Sequence, residues 1–186
     1  MLKVEARKLA LFNRRTKNSK ESSEIVLDKI INCGILNEYE NIGIYYPIGS
    51  EINIIKLINK YPNKSFYLPI TNDEISFIKY NIGDTLYKGL FNTMEPKGDV
   101  VDRDLIDCYI IPCVAISKEN KRLGYGKGYY DRYLSGYTGL KIGICYNDSY
   151  MLDFDTDSFD IKLDIVFTDW FKDGWNDDKC YIINGW

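Results

Sequence analysis

Residues 122–134 read RLGYGKGYYDRYL, with three glycines on alternate positions around a tyrosine and a lysine, and an aspartate within a turn of the last glycine. Glycines this dense mark a main chain that turns tightly or approaches something closely. Backbone N–H groups of such a turn can point at an anion, Lys127 adds a point charge, and Arg122 can fork onto a pair of oxygens. A carboxylate at Asp131 would repel a phosphate unless a hard cation such as Mg²⁺ sat between them. The chemistry this permits is phosphoryl transfer driven by positioning and charge. Familiar phosphate loops do not fit, however. A Walker loop would need glycine where Lys121 stands and Ser or Thr where Gly128 stands, and the third glycine of a dinucleotide fingerprint would fall on Tyr129 or Asp131. On the pattern alone, a glycine-rich surface turn feeding an amphipathic helix reads equally well, with Asp131 serving only the helix dipole.

The rest of the composition narrows the chemistry. The chain of 186 residues has no histidine, which removes the commonest general base, the Ser-His and Cys-His nucleophile pairs and most transition-metal sites. Residues 1–20 hold seven Lys and Arg against Glu5 alone, and the remainder is acidic. With a net charge of -3, a general nucleic-acid binder is not expected, and the basic start reads as a site for one small anion. No run approaches the roughly 18 apolar residues of a membrane span, and the N-terminus lacks the apolar core of a signal peptide. These features point to a soluble, cytoplasmic protein without nucleic-acid or membrane partners. Cys33, Cys108, Cys113, Cys145 and Cys180 are odd in number and never spaced C-x-x-C, so reduced core thiols are expected.

Several elements must position these residues. The spacing predicts helices over 2–15 and 22–33, the second stopped by Gly34. Strands are expected at 42–47, 65–70, 75–80, 105–112, 140–146 and 163–168, with a helix at 51–61 and another after the glycine loop. Apolar strands alternating with amphipathic helices imply one α/β domain over 1–186. Its expected form is a three-layer α/β/α, Rossmann-like arrangement with a mostly parallel sheet, and in such a sheet ligands collect at the carboxyl ends of the strands. Residues 169–186 follow no clear pattern.

The stretch PCVAISKENKRLGYGKGYYDRYL, residues 112–134, resembles the signature of the 5-formyltetrahydrofolate cyclo-ligase family. Weaker similarity runs in order through Lys3 and Arg7, Glu51, the YLPI strand, Glu95-Pro96, the strand opened by Asp104, and Asp164. Ile116-Ser117 and Asn120 depart from the usual residues in the turn before Arg122. The resemblance implies an ATP- and Mg²⁺-dependent conversion of 5-formyltetrahydrofolate into 5,10-methenyltetrahydrofolate with release of ADP and phosphate. It further implies that Lys127 and Arg122 act in catalysis, and that Lys3, Arg7, Arg122, Gly124, Gly126, Lys127, Gly128, Tyr129 and Asp131 hold ATP. By the same likeness Glu51 and Tyr130 bind the folate, and Asp131 and Asp164 hold the metal.

A second motif competes for the acidic connector. In DFDTDSFDIKLD, residues 153–164, Asp153, Asp155, Asp157 and Asp164 stand at calcium-loop positions one, three, five and twelve. Position six is Ser158 instead of the turn-making glycine, and an aspartate at position twelve lacks glutamate's bidentate reach. An ordinary acidic connector delivering Asp164 is the better reading. Two other functions stay open on sequence grounds: a non-catalytic folate or nucleotide holder, and a phospho-ligand enzyme that needs no ATP on a similar sheet.

Overall fold

The computed structural model describes residues 1–170. Helix α1 (Lys3–Arg14) is followed by α2 (Ser19–Cys33), which Asn18 caps by accepting from Glu21 N–H and Gly34 ends in the left-handed conformation. Strand β1 (Asn41–Gly43) is shorter than the apolar run suggests, because regular pairing ends soon after Gly43. The helix expected at 51–61 shrinks to one turn, α3 (Leu57–Lys60). Upstream of it the backbone is held by side chains instead: Ser23 Oγ accepts from Asn53 N–H, Asn53 Oδ1 accepts from Ile55 N–H, and the Tyr45 hydroxyl donates to the Ile52 carbonyl. Such local bonds offer the chain an alternative to the helical ladder.

Strands β2 (Ser65–Thr71) and β3 (Ile75–Tyr80) form a hairpin, and β4 (Tyr87–Lys88) and β5 (Met94–Glu95) a small flap beyond it. Then come β6 (Cys108–Pro112), a short hairpin of β7 (Ala115–Ile116) and β8 (Arg122–Leu123), and α4 (Tyr129–Tyr133). Strands β9 (Leu140–Cys145) and β10 (Ile165–Thr168) complete the order. Among the described residues the central sheet has six strands in the order β10-β9-β6-β1-β2-β3, parallel throughout except for the antiparallel edge strand β3. The mostly parallel α/β architecture expected from the sequence is therefore present.

Both sheet faces are buried, as near-continuous apolar strands require. Cys108 and Ile110 of β6 point to the layer formed by Val26, Leu27 and Ile30 of α2 with Ile54 and Leu57. Their neighbours Tyr109 and Ile111 point the other way, onto Tyr130, Leu134 and Tyr137. Helix α1 lies apart from both layers and seats Ala6 and Ala10 on Val114, Ala115 and Leu123 of the β7–β8 hairpin. This packing brings the basic first helix beside the glycine segment. Cys108, Cys113 and Cys145 are buried free thiols, and burial pushes Cys113 up to about 12. The reduced-thiol expectation is corrected for Cys33, which is bonded rather than free. Cys180 and the rest of the tail from residue 171 lie outside the described residues.

Candidate active site

A cavity of about 480 Å³ opens at the carboxyl ends of β1, β2 and β6, where Tyr45, Pro69, Thr71 and Pro112 form its floor. Five further segments complete it: α1, the turn at 46–51 after β1, the glycine loop with the start of α4, the flap tip, and the acidic connector before β10. Ligands gather at this end of an open α/β sheet because the strands deliver their termini and loops there.

The three glycines of the loop serve two different needs. At Gly124 the need is space, since a Cβ would lie 2.5 Å from Nη1 of Arg122. At Gly126 and Gly128 the need is conformation, with φ of 100° and 68°, values that L side chains adopt only under strain. Gly128 thereby turns the chain into α4, a helix of five residues, so the anion reading rests on the loop and its cations rather than on a long helix dipole.

Those cations converge. Arg122 is buried, with its Nε donating to the Pro112 carbonyl at 3.0 Å and its guanidinium 4.7 Å from the Tyr130 ring centre. The side chain lines the cavity, and its guanidinium also meets the buried Cys113 thiol. Arg7 reaches over from α1, donating from Nε to the Gly124 carbonyl at 2.8 Å. Lys127 is exposed at the mouth, near the Phe91 ring, and no carboxylate pairs with it among the described residues. Lys3 is paired, by contrast, donating to Asp160 Oδ1 at 2.7 Å and to Asp157. Burial opposes its charge, but the bonds to Asp157 and Asp160 hold it above the usual lysine value.

Two carboxylates face these cations across the cavity, and one of them is not the residue expected. Asp131 accepts from Ile161 N–H at 3.2 Å and lines the cavity. Asp164 does not reach it. Standing just before β10, it lies at the amino end of the parallel strands, where it accepts from Lys141 N–H at 2.8 Å and pairs with Lys141 Nζ at 3.0 Å. The lining aspartate of the connector is Asp160, buried, accepting from Lys3 and from Asp157 N–H at 2.7 Å. Strand polarity decides the matter, because a residue entering β10 must sit at the edge opposite the one that collects ligands. Among the described residues no group of three His, Cys, Asp or Glu could hold a metal unaided. A hard cation would draw on Asp131 and Asp160 and complete its shell with ligand oxygens and water, the usual habit of Mg²⁺.

Glu51 sits deep on the opposite wall. Its Oε2 accepts from Ile48 N–H at 2.8 Å and its Oε1 from the Tyr125 hydroxyl at 2.9 Å. Burial raises its pKa, while those two bonds and the charges of Arg14 and Arg122 pull the other way. Tyr125 in turn accepts from Arg14 Nη2 at 2.8 Å, and burial and the charge of Glu51 push its hydroxyl up to about 12. Tyr130 is buried under Arg122, and Tyr129 donates to the Asn72 carbonyl at 3.2 Å with its ring 6.3 Å from Phe91. Phe91 and Asn92 at the flap tip both have φ near 60°, a conformation rare outside glycine that concentrates at ligand-contacting segments.

Lys3, Arg7, Glu51, Arg122, Gly124, Gly126, Lys127, Gly128, Tyr129, Tyr130 and Asp131 thus share one cavity, and of the residues that the resemblance gave a binding or catalytic role Asp164 alone lies elsewhere. Asp160, Tyr125 and Phe91 escaped sequence reasoning. For Asp160 no local signal existed, since it is one of several aspartates in an aperiodic connector.

The family model described as the 5-formyltetrahydrofolate cyclo-ligase family matches residues 2–169. A protein of Mycoplasma genitalium named 5-formyltetrahydrofolate cyclo-ligase is 31% identical over 173 residues, covering 86% of this chain and 93% of its own. A like-named protein of Mycoplasma pneumoniae is 35% identical over 137 residues, covering 70% of this chain and 73% of its own. In solved form, the 5,10-methenyltetrahydrofolate synthetase of Aquifex aeolicus superposes with a TM-score of 0.79 at 32% identity, over 91% of this chain and 90% of that one. Since the match spans nearly all the described residues and reaches sequence, fold and the loop around which the cavity is built, the chain belongs to the 5-formyltetrahydrofolate cyclo-ligase family.

Proposed function

We propose that this protein is a cytoplasmic enzyme that converts 5-formyltetrahydrofolate into 5,10-methenyltetrahydrofolate, consuming ATP with Mg²⁺ and releasing ADP and phosphate. The observation that carries this reading is the convergence, in one cavity, of the glycine loop with Arg122 and Lys127, the carboxylates of Asp131 and Asp160, and buried Glu51 on the facing wall. The cationic side suits a triphosphate and the deep polar wall suits a flat heterocycle with N–H donors.

Arg7, Arg122, Lys127 and the loop backbone grip the phosphates, with Lys3 nearby on Asp160. Asp131 and Asp160 would hold a Mg²⁺ ion, which when bound would neutralise phosphate charge. Glu51 accepts from the pterin edge, and Tyr130 and Phe91 flank the rings. The formyl oxygen attacks the γ-phosphorus, forming an O–P bond as the bond to the ADP oxygen breaks. The neighbouring folate nitrogen then bonds to the activated formyl carbon, losing its proton to solvent, and phosphate leaves with the former formyl oxygen. Lys127, free of any carboxylate among the described residues, stabilises charge on the transferring phosphoryl group. No histidine is needed, because positioning and charge supply most of the rate.

The near-ultraviolet absorbance of the methenyl product tests this directly. A rise that requires 5-formyltetrahydrofolate, ATP and Mg²⁺ together is the expected result. Calorimetric binding of either ligand without any rise would leave a holder in place of an enzyme.

A further inference from the structure

We infer that Tyr125 is a positioning residue that couples the two substrate sites, so that nucleotide on the glycine loop strengthens folate binding at Glu51. The inference rests on the proposed function for the identity of the two ligands. It is carried by a hydrogen-bonded chain that the reaction as written does not use.

Tyr125 belongs to the loop itself, between Gly124 and Gly126. Its hydroxyl accepts from Arg14 Nη2 at 2.8 Å and donates to Glu51 Oε1 at 2.9 Å, a residue 74 positions away on the other wall. Arg14 also lies over the Tyr125 ring, 5.8 Å from its centre. The same helix holds the loop a second time, through Arg7 on the Gly124 carbonyl. Helix α1 therefore grips the loop at two successive residues, and the loop reaches Glu51 through the second of them.

The loop backbone sets where that hydroxyl falls. Tyr125 stands between Gly124 and Gly126, and Gly126 has φ of 100°, so the residue is flanked by positions with wide conformational freedom. Phosphates bound to the loop would narrow that freedom and keep Tyr125 on Glu51. The carboxylate would then be held in one rotamer and in its ionised form, ready to accept from the pterin edge. Glu51 has lone pairs to spare, since a carboxylate offers about four acceptor positions and uses two here. Tyr125 thus supports the folate contact without occupying it. Two sites that bias one shared element are coupled, and the coupling is reciprocal.

The experiment is a pair of calorimetric titrations with 5-formyltetrahydrofolate, with and without a non-hydrolysable ATP analogue plus Mg²⁺, on the full chain and on Tyr125→Phe. In the unmodified protein the analogue is expected to tighten folate binding about tenfold. Tyr125→Phe keeps the ring and loses the hydroxyl, and the ratio of the two dissociation constants should fall towards one. Arg14→Gln should move the ratio the same way. A change confined to packing would weaken both titrations alike and leave the ratio intact, and that result would overturn the inference. So would tighter folate binding in Tyr125→Phe, which would make the tyrosine a plug, or a ratio of one in the unmodified protein. If the unmodified protein binds neither ligand, the proposed function itself fails and takes the coupling with it.

Discussion

The α-carbon of Gly124 lies against the guanidinium of Arg122, so closely that a Cβ would come within 2.5 Å of Nη1 and 2.6 Å of Nη2. Both atoms are the far end of a long side chain that can swing aside. Gly124→Ala should therefore fold normally and lose function, by pushing the arginine fork out of the cavity. We expect the KM for ATP to rise about tenfold. Arg122→Lys removes the same fork while keeping the charge, and the double variant should be no worse than either single one. Losses that add in a double-mutant cycle would show that the glycine and the arginine act separately.

Lys127→Ala tests the charge on the transferring group. Because that lysine faces the cavity without a carboxylate partner among the described residues, its removal leaves no buried acid unpaired and should not disturb the fold. Turnover should fall by roughly 10²- to 10³-fold, while calorimetric affinity for the folate changes little. Turnover that survives intact would remove Lys127 from the chemistry.

The two connector aspartates make opposite predictions. Asp160→Asn should raise the Mg²⁺ concentration needed for half-maximal turnover by about tenfold or more. Asp164→Asn should leave that titration unmoved, because its carboxylate meets Lys141 at the far edge of the sheet. Its cost is a partly exposed ion pair, worth up to about 1 kcal/mol in thermal denaturation. If Asp164→Asn abolished the Mg²⁺ response, the assignment from strand polarity would be reversed.

The buried carboxyl of Glu51 gives a pH dependence of defined sign. Burial raises its pKa from an ordinary value of 4.5, so the folded protein holds that proton to a higher pH than the unfolded chain does. Its contribution to stability is then fully present below the unfolded value and is lost as pH rises through the folded one. Folate binding runs the opposite way, since the ionised carboxylate is the acceptor. Affinity should weaken as pH falls through a range somewhat above that of ordinary glutamates. Glu51→Gln should flatten both curves, read by calorimetric titration and by denaturant unfolding across that range. A folate affinity profile identical in the two proteins would separate Glu51 from the ligand.

Much of this arrangement could be read from residues alone. Apolar runs such as CYIIP and LKIGIC are long enough, and free enough of polar interruption, to be strands buried on both faces, and the glycine loop declared itself by density. Two kinds of feature were hidden. The helix expected over 51–61 has apolar spacing that suits a helix, yet Ser23, Tyr45 and Asn53 hold its backbone in another path, and contacts from distant residues leave no local trace. The choice between Asp160 and Asp164 turned on which end of β10 faces the cavity, and a connector rich in aspartate has no periodicity to reveal it. Tyr125 looked like a spacer between glycines because its partner stands 74 residues away.

The bond between Lys3 and Asp160 spans 157 positions, and this sets the order in which the protein can mature during synthesis. Helix α1 leaves the ribosome long before the acidic connector, with Lys3 still lacking Asp160. At roughly 5–20 residues per second, the wait is on the order of ten seconds. The central strands can pair during that time, but the cavity cannot close. A chain truncated before residue 160 would keep Asp131 in the cavity but lack the buried acid that meets Lys3, so the site is assembled only after the acidic connector has been made.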